Sequence, residues 1–217
     1  MQLSNTSQTK IPGIDVSIYQ GKIDWQRVKQ AGIKFAFVKA TEGATFQDKL
    51  FKENIRAAQS AGISCGAYHF FRPKTPIGPQ VDNFINSIRS AGVTVLPALD
   101  LEVPADWRNI PRGDRINLVI EWLERVKSVL GIPPIIYLSS SFPGDVLTDA
   151  HELAAYPLWL AHYTKHPAPV VPAPWQTYTF WQHSDRGAVE GIVGNVDLNW
   201  FNGPAVDLEK VMHPHQP

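Results

Sequence analysis

The amino-acid sequence predicts a single-domain α/β fold in which the strands close into a barrel. Short β-like runs alternate with amphipathic helical stretches between residues 11 and 139, which is typical of strand–helix units. After residue 139, short apolar runs follow one another without a helix long enough for a crossover. We therefore expect about eight strands, with helices after the first five. An open, doubly wound sheet is the alternative, but no glycine-rich phosphate loop follows the first strand.

Each predicted unit in the first part of the chain consists of an apolar strand and a helix that ends at a glycine. The strands are predicted at residues 11–17, 34–40, 64–71, 94–102 and 134–139. Asp24 is the predicted N-cap of the first helix. The helices are predicted at residues 24–31, 48–61, 79–91 and 114–130, followed by Gly32, Gly62, Gly92 and Gly131. Because strand–helix–strand crossovers are right-handed, these strands should form a parallel sheet.

Three further strands complete the predicted barrel, at residues 158–162, 178–183 and 196–200. The last two are expected to pair antiparallel around Asp185-Arg186-Gly187. We assign residues 1–10 to an N-terminal extension, residues 11–203 to the barrel and residues 204–217 to a C-terminal helix and tail.

The charge balance excludes attraction to a polyanion as the main binding force. The 217 residues contain 20 Lys and Arg against 20 Asp and Glu. No apolar run approaches the roughly 18 residues of a membrane span. We therefore expect a monomer that neither binds nucleic acid nor inserts into a membrane. The 7 Trp, 6 Tyr and 10 Phe suit either a large core or platforms for ring-shaped ligands.

The fourth predicted strand carries the strongest functional signal, because Asp100 and Glu102 interrupt its apolar pattern. Residues two apart on a strand project from the same face, with α-carbons roughly 6 to 7 Å apart. Such a pair suits glycoside cleavage, because crowding and burial leave a protonated acid beside an anion. Glu102, nearer the barrel mouth, is the better proton donor. The alternative is a solvated strand end that caps the following loop.

Other predicted strand ends also carry polar and aromatic side chains. Glu42 follows the second strand, and closure of the barrel would bring Asp15 of the first strand near Asp197 of the last. Any one of the accompanying residues suits a core or rim position, but their recurrence at strand ends indicates a sugar-binding cleft. These accompanying residues are Tyr68, His69, Tyr137, Trp159, Tyr163 and Gln182.

Seven short motifs follow one another along the chain. They are Gly-Ile-Asp-Val-Ser-x-Tyr-Gln (13–20), Phe-Val-Lys-Ala-Thr-Glu-Gly (37–43), Gly-Ala-Tyr-His-Phe (66–70), Leu-Asp-Leu-Glu (99–102), Leu-Trp-Leu-Ala-x-Tyr (158–163), Phe-Trp-Gln (180–182) and Val-Asp-Leu-Asn-x-Phe (196–201). In this order they resemble the motifs of the glycoside hydrolase family 25 lysozymes, and the resemblance extends from about residue 11 to residue 202.

This resemblance implies an N-acetylmuramidase of the Chalaropsis type on a flattened, TIM-like (β/α)5(β)3 barrel. The expected substrate is bacterial cell-wall peptidoglycan, cleaved with retention at the β-1,4 bond between N-acetylmuramic acid and N-acetylglucosamine. By resemblance, Glu102 is the general acid/base and Asp100 its partner carboxylate, while Asp15 and Asp197 are further active-site aspartates. Direct attack by a carboxylate and attack by the substrate's own acetamido group both remain open. We expect no metal ion and no other cofactor.

Two other functions compete with this interpretation. One is a non-catalytic barrel that only binds glycan, and the other is a metal-dependent amide hydrolase, for which only His69 is well placed. The first residues lack the basic and apolar regions of a secretory signal. We therefore expect action at the cell wall after export of the endolysin or effector type, or in a secreted protein whose signal has been trimmed.

Overall fold

The computed structural model describes residues 10–147 and 150–213. Its strands are β1 (Ile11–Val16), β2 (Phe35–Glu42), β3 (Phe46–Gln47), β4 (Ser64–Phe70), β5 (Leu96–Leu101), β6 (Ile135–Ser139), β7 (Leu158–Ala161), β8 (Phe180–Gly187) and β9 (Val196–Phe201). Its α-helices are α1 (Trp25–Gln30), α2 (Phe51–Ser60), α3 (Ile77–Ala91), α4 (Arg112–Leu130), α5 (Phe142–Val146) and α6 (Ala205–Met212). Within the described residues, no helix combines the length and the apolar character that a membrane crossing requires.

Eight strands close into the predicted barrel. The sheet order is β1-β9-β8-β7-β6-β5-β4-β2-β3, and β1 also pairs with β2. The pairings from β1 through β2, β4, β5, β6 and β7 to β8 are parallel, whereas β9 is antiparallel to both of its neighbours. Helices α1 to α5 follow the first five barrel strands, and the last three strands are joined without a crossover helix. The predicted (β/α)5(β)3 architecture is therefore confirmed.

Several predicted local signals appear as expected in the structure. The Asp24 carboxylate accepts a hydrogen bond from the backbone N–H of Arg27 and so caps α1. Gly92 and Gly131 adopt left-handed φ values of 67° and 72° after α3 and α4, which glycine does without steric cost. Of the predicted extension and tail, residues 1–9 and 214–217 lie outside the described residues.

The predicted turn between the last two strands was wrong. Strand β8 continues through Gly187, so Asp185-Arg186-Gly187 belongs to the strand and the connection is formed by residues 188–195. The pairing is antiparallel, as expected, but the ladder shifts register twice along β8. These irregularities keep the longer strand in the sheet beyond the point at which its apolar pattern ends.

Aromatic side chains fill the barrel interior below the mouth. The Phe37 ring stacks on Trp159 at 4.2 Å between centroids and meets Phe180 edge-on at 5.1 Å. Gly66 makes room for this cluster, since a Cβ there would lie 2.3 Å from the Phe37 ring. Met212 of α6 packs into the same interior cluster. The interior is thus solid, and the space that remains is at the carboxyl ends of the strands.

Candidate active site

A cavity of about 280 Å³ opens at the mouth of the barrel. All four predicted catalytic carboxyl groups line it, and so do five of the predicted substrate-binding side chains. These residues are Asp15, Asp100, Glu102 and Asp197, with Tyr68, Tyr137, Trp159, Tyr163 and Gln182. A larger groove of about 960 Å³ lies beside α1, but none of the four carboxyl groups lines it. We therefore place the candidate active site in the smaller cavity.

Asp15 and Asp197 form a carboxyl pair at the seam of the barrel. They are register partners on β1 and β9 and share a side-chain hydrogen bond. Burial raises the pKa of Asp15 well above its usual value, and the charge of Asp197 raises it further. The Asp15 Oδ2 atom accepts hydrogen bonds from the amides of Gln182 (2.9 Å) and Asn199 (2.7 Å), which oppose that rise. Asp15 therefore holds its proton more tightly than a free aspartic acid does, and the hydrogen bond with Asp197 adds to this effect.

Asp100 and Glu102 form the second carboxyl pair, at the end of β5. Asp100 is 5% exposed, and burial and the Glu102 charge together raise its pKa well above the usual value. Burial also raises the pKa of Glu102, against the opposing effects of a Tyr137 hydrogen bond and the Lys39 charge. Among the described residues, none gives a hydrogen bond to Asp100 Oδ1, although this atom is buried. The pair is thus crowded, and a side-chain hydrogen bond joins Asp100 to Glu102.

Gln182 connects the two pairs and is itself almost completely buried. Its Oε1 atom accepts hydrogen bonds from the hydroxyls of Tyr137 (2.8 Å) and Tyr163 (2.7 Å), while its Nε2 donates to Asp15. Burial and the surrounding carboxylates raise the pKa of Tyr137, so its phenol remains a hydrogen-bond donor. Gln182 therefore holds Asp15 and the tyrosines in place, and Tyr163, which is 51% exposed, forms the rim.

Asn199 was missed by the sequence analysis, yet it holds two side chains of the site. Its Nδ2 donates to Asp15, and its Oδ1 accepts a 2.7 Å hydrogen bond from the Trp159 indole. Because this amide is 1% exposed and uses both of its polar ends, it fixes the floor of the cavity. Its position two residues after Asp197 on β9 was the available signal, since both side chains face the same side of a strand.

His69 does not line the cavity, and its predicted role in substrate binding stays a prediction. It is fully buried on the outer side of β4, where its ring stacks on Trp122 of α4 at 5.3 Å. Its Nδ1 accepts from the Thr41 hydroxyl (2.7 Å), and its Nε2 donates to Gln80 Oε1 (3.1 Å). Burial lowers the pKa of His69 to about 4, so the ring is neutral and tethers the barrel to the helices.

Glu42 also lies outside the cavity lining and binds two cations. It accepts from Lys39 Nζ at 2.8 Å and from Arg72 Nε at 3.0 Å. The hydrogen bonds and charges of these two cations keep the pKa of Glu42 below its usual value despite partial burial. Glu42 therefore contacts Lys39, which does line the cavity, and its predicted contact with substrate stays a prediction.

The residue after Glu102 has an unusual backbone conformation. Val103 has a φ of 53°, in the left-handed region that a β-branched residue occupies only at a steric cost. A 3-10 helix, Pro104–Trp107, follows at once, and the Trp107 indole donates to the Glu102 carbonyl at 3.3 Å. Strain of this kind persists where the surrounding structure holds it, and here it lies next to Glu102.

A closed barrel whose mouth holds paired, buried carboxyl groups with raised pKa values has the arrangement of a glycoside hydrolase. The family model for glycosyl hydrolases family 25 matches residues 14–192. The chain therefore belongs to glycosyl hydrolase family 25, a family of lysozymes and muramidases.

Relatives and solved structures agree with this assignment. Lysozyme M1 of Streptomyces globisporus is 38% identical over 206 residues, which are 91% of this chain and 70% of that lysozyme. The N,O-diacetylmuramidase of Chalaropsis sp is 28% identical over 213 residues, 93% of this chain and 98% of that enzyme. The crystal structure of the bacterial lysozyme from Streptomyces coelicolor has a TM-score of 0.87 and 34% identity, covering 96% of this chain and 99% of that one.

Proposed function

We propose that this enzyme cleaves the β-1,4 bond between N-acetylmuramic acid and N-acetylglucosamine in bacterial peptidoglycan, with Glu102 as general acid/base and Asp100 as its partner. The observation that carries the proposal is the pairing of these two carboxyl groups at the carboxyl end of β5, inside the cavity at the barrel mouth. The names of the Streptomyces and Chalaropsis relatives, lysozyme and diacetylmuramidase, support the same chemistry.

In the first step, protonated Glu102 gives its proton to the glycosidic oxygen as the bond from that oxygen to the anomeric carbon breaks. The 2-acetamido oxygen of the substrate attacks the anomeric carbon from the opposite face, which forms an oxazolinium ion. The Asp100 carboxylate accepts the acetamido N–H and balances the developing positive charge. Because the crowded pair favours a single shared proton, occupation of Asp100 by this N–H leaves the proton on Glu102.

In the second step, the ionised Glu102 takes a proton from water. The resulting hydroxide equivalent attacks the anomeric carbon, and the bond to the acetamido oxygen breaks. Two inversions give net retention. Direct attack by Asp100 would give the same stereochemical result.

Digestion of purified peptidoglycan tests the proposed bond. New chain ends are reduced with borohydride and identified by mass spectrometry. Reduced N-acetylmuramic acid ends are expected, whereas reduced N-acetylglucosamine ends would contradict the proposal. Undiminished polymer length would support the alternative of a barrel that only binds glycan. New free amino groups, lost on addition of a chelator, would support the amide hydrolase.

We propose that the enzyme acts at the cell wall as a monomer. The polymeric substrate is located there, and the cavity is formed by the strands of one chain. Export by an endolysin or effector route, or as a trimmed secreted protein, accounts equally for access to the wall. Light scattering at micromolar concentration tests the oligomeric state, for which a mass near 24.2 kDa is expected.

A further inference from the structure

Lys39 carries the only basic side chain among the described residues that line the catalytic cavity. Its side chain is 11% exposed, although an isolated buried ammonium is costly. Four carboxyl groups line the same cavity: Asp15 on β1, Asp100 on β5, Glu102 directly after β5, and Asp197 on β9. One cation therefore lines the cavity together with four acids, and its charge acts on two of them, Asp100 and Glu102.

The position of Lys39 depends on a local irregularity in β2. The register with β4 shifts between Lys39 and Thr41, and this β-bulge turns Lys39 into the mouth and Thr41 outwards to His69. Without the bulge, residues two apart would face the same side of the strand. The ammonium lies 4.7 Å from the Phe70 ring centroid, a cation–π distance that adds to its fixation.

A series of linked ion pairs fixes the Lys39 ammonium. Lys39 Nζ binds Glu42 at 2.8 Å, and Arg72 binds both Glu42 and Asp106, the latter at 2.6 Å. Arg72 is thus engaged with two carboxylates, and neutral His69 adds no charge. Lys39 is therefore held in the lining of the cavity, where its charge acts on Asp100 and Glu102.

We propose that Lys39 is a positioning residue for hydrolysis, whose ammonium maintains one negative charge on the Asp100–Glu102 pair. This inference rests on the proposed function of that pair. Asp100 and Glu102 are buried close to two other carboxyl groups, those of Asp15 and Asp197, and this favours protonation of both members of the pair. A fully protonated pair has no anion to balance the oxazolinium ion. A fixed cation stabilises the singly ionised pair, in agreement with the lowering effect of Lys39 on the pKa values of both acids.

Two single substitutions with opposite charge effects test the proposal. Lys39→Met removes the cation, so the acidic limb of the kcat/KM profile should move to higher pH by about one unit. Glu42→Gln removes an anion that raises the pKa of Asp100, so the same limb should move to lower pH. The double variant should return the limb towards that of the wild type. If Lys39 had only a structural role, the two substitutions would lower the rate but would not move the acidic limb of the profile in opposite directions.

Carboxyl-carbon NMR titration of Asp100 and Glu102 gives a second readout that needs no turnover. Circular dichroism first establishes that each variant is folded, and Lys39→Gln replaces Lys39→Met if the latter is not. Titration midpoints that stay unchanged in the lysine variants, or that shift in the same direction in Glu42→Gln, would overturn the role of Lys39. Absence of peptidoglycan hydrolysis by the wild type would instead overturn the proposed function, whatever the titration shows.

Discussion

Asp15 on β1 and Asp197 on β9 are directly opposed across the antiparallel pair of strands that closes the barrel. Because β9 runs against its neighbours, its first residues lie at the mouth, where the parallel strands end. Closure therefore joins the two aspartates in a hydrogen-bonded pair, and burial raises the pKa of Asp15. Strand β9, the last strand, thus supplies Asp197 to a site to which β1, the first strand, supplies Asp15.

Asp15→Asn should change the pH dependence of stability. A carboxyl group with a raised folded pKa stabilises the fold below its unfolded pKa, and this contribution is lost as the pH rises through the folded pKa. Asparagine mimics the protonated acid at every pH and still donates to Asp197. The unfolding free energy of Asp15→Asn minus that of the wild type should therefore increase with pH, measured by urea denaturation between pH 4 and 8. A difference that is independent of pH would contradict a raised pKa.

His69→Ala should reduce stability without affecting substrate binding. The change removes hydrogen bonds with Thr41 and Gln80 and the stack on Trp122, all in a buried layer. We expect a loss of about 2 to 4 kcal/mol in unfolding free energy, with KM unchanged at a temperature where the variant is folded. An increase in KM at unchanged stability would instead support the predicted role of His69 in substrate binding.

Val103→Gly should stabilise the protein, because glycine adopts a φ of 53° without the steric cost that valine pays. The valine is 39% exposed, so little packing is lost and the unfolding free energy should rise by about 1 kcal/mol. Val129→Gly is the matched control, since Val129 is 47% exposed but lies within α4. There glycine should lower stability by about half a kcal/mol or more. Equal effects at the two sites would contradict strain at Val103.

The sequence predicted the barrel because its signals are local. Apolar periodicity marks strands and helices, and glycines end helices whether or not the rest of the chain is known. The spacing of Asp100 and Glu102 likewise predicted that both lie on one face of a strand, and the structure has both in one cavity, although β5 ends at Leu101. Strand β3 was missed, because its two residues are both exposed and show no alternation.

The side-chain networks of the site were harder to predict. A β-bulge reverses the face that Thr41 occupies relative to Lys39, and no feature of the local pattern marks it. Successive residues of a strand face opposite sides, and Tyr68 of β4 lines the cavity. This alternation could have placed His69, the next residue, on the outer side of the barrel. Asn199 and Gln182 act through contacts between strands far apart in sequence, which become visible only once the barrel is closed.

Substitution of Glu102 tests the central claim most directly. The measurement is the initial rate of release of reducing ends from purified peptidoglycan by the wild type, Glu102→Gln and Glu53→Gln. Glu53 is an exposed glutamate on α2 and controls for the loss of one charge. Because a general acid/base contributes about 10² to 10⁴ in rate, Glu102→Gln should be at least about a hundredfold slower, while Glu53→Gln retains the wild-type rate. A folded Glu102→Gln variant with wild-type activity would contradict the assignment of Glu102 as the general acid/base.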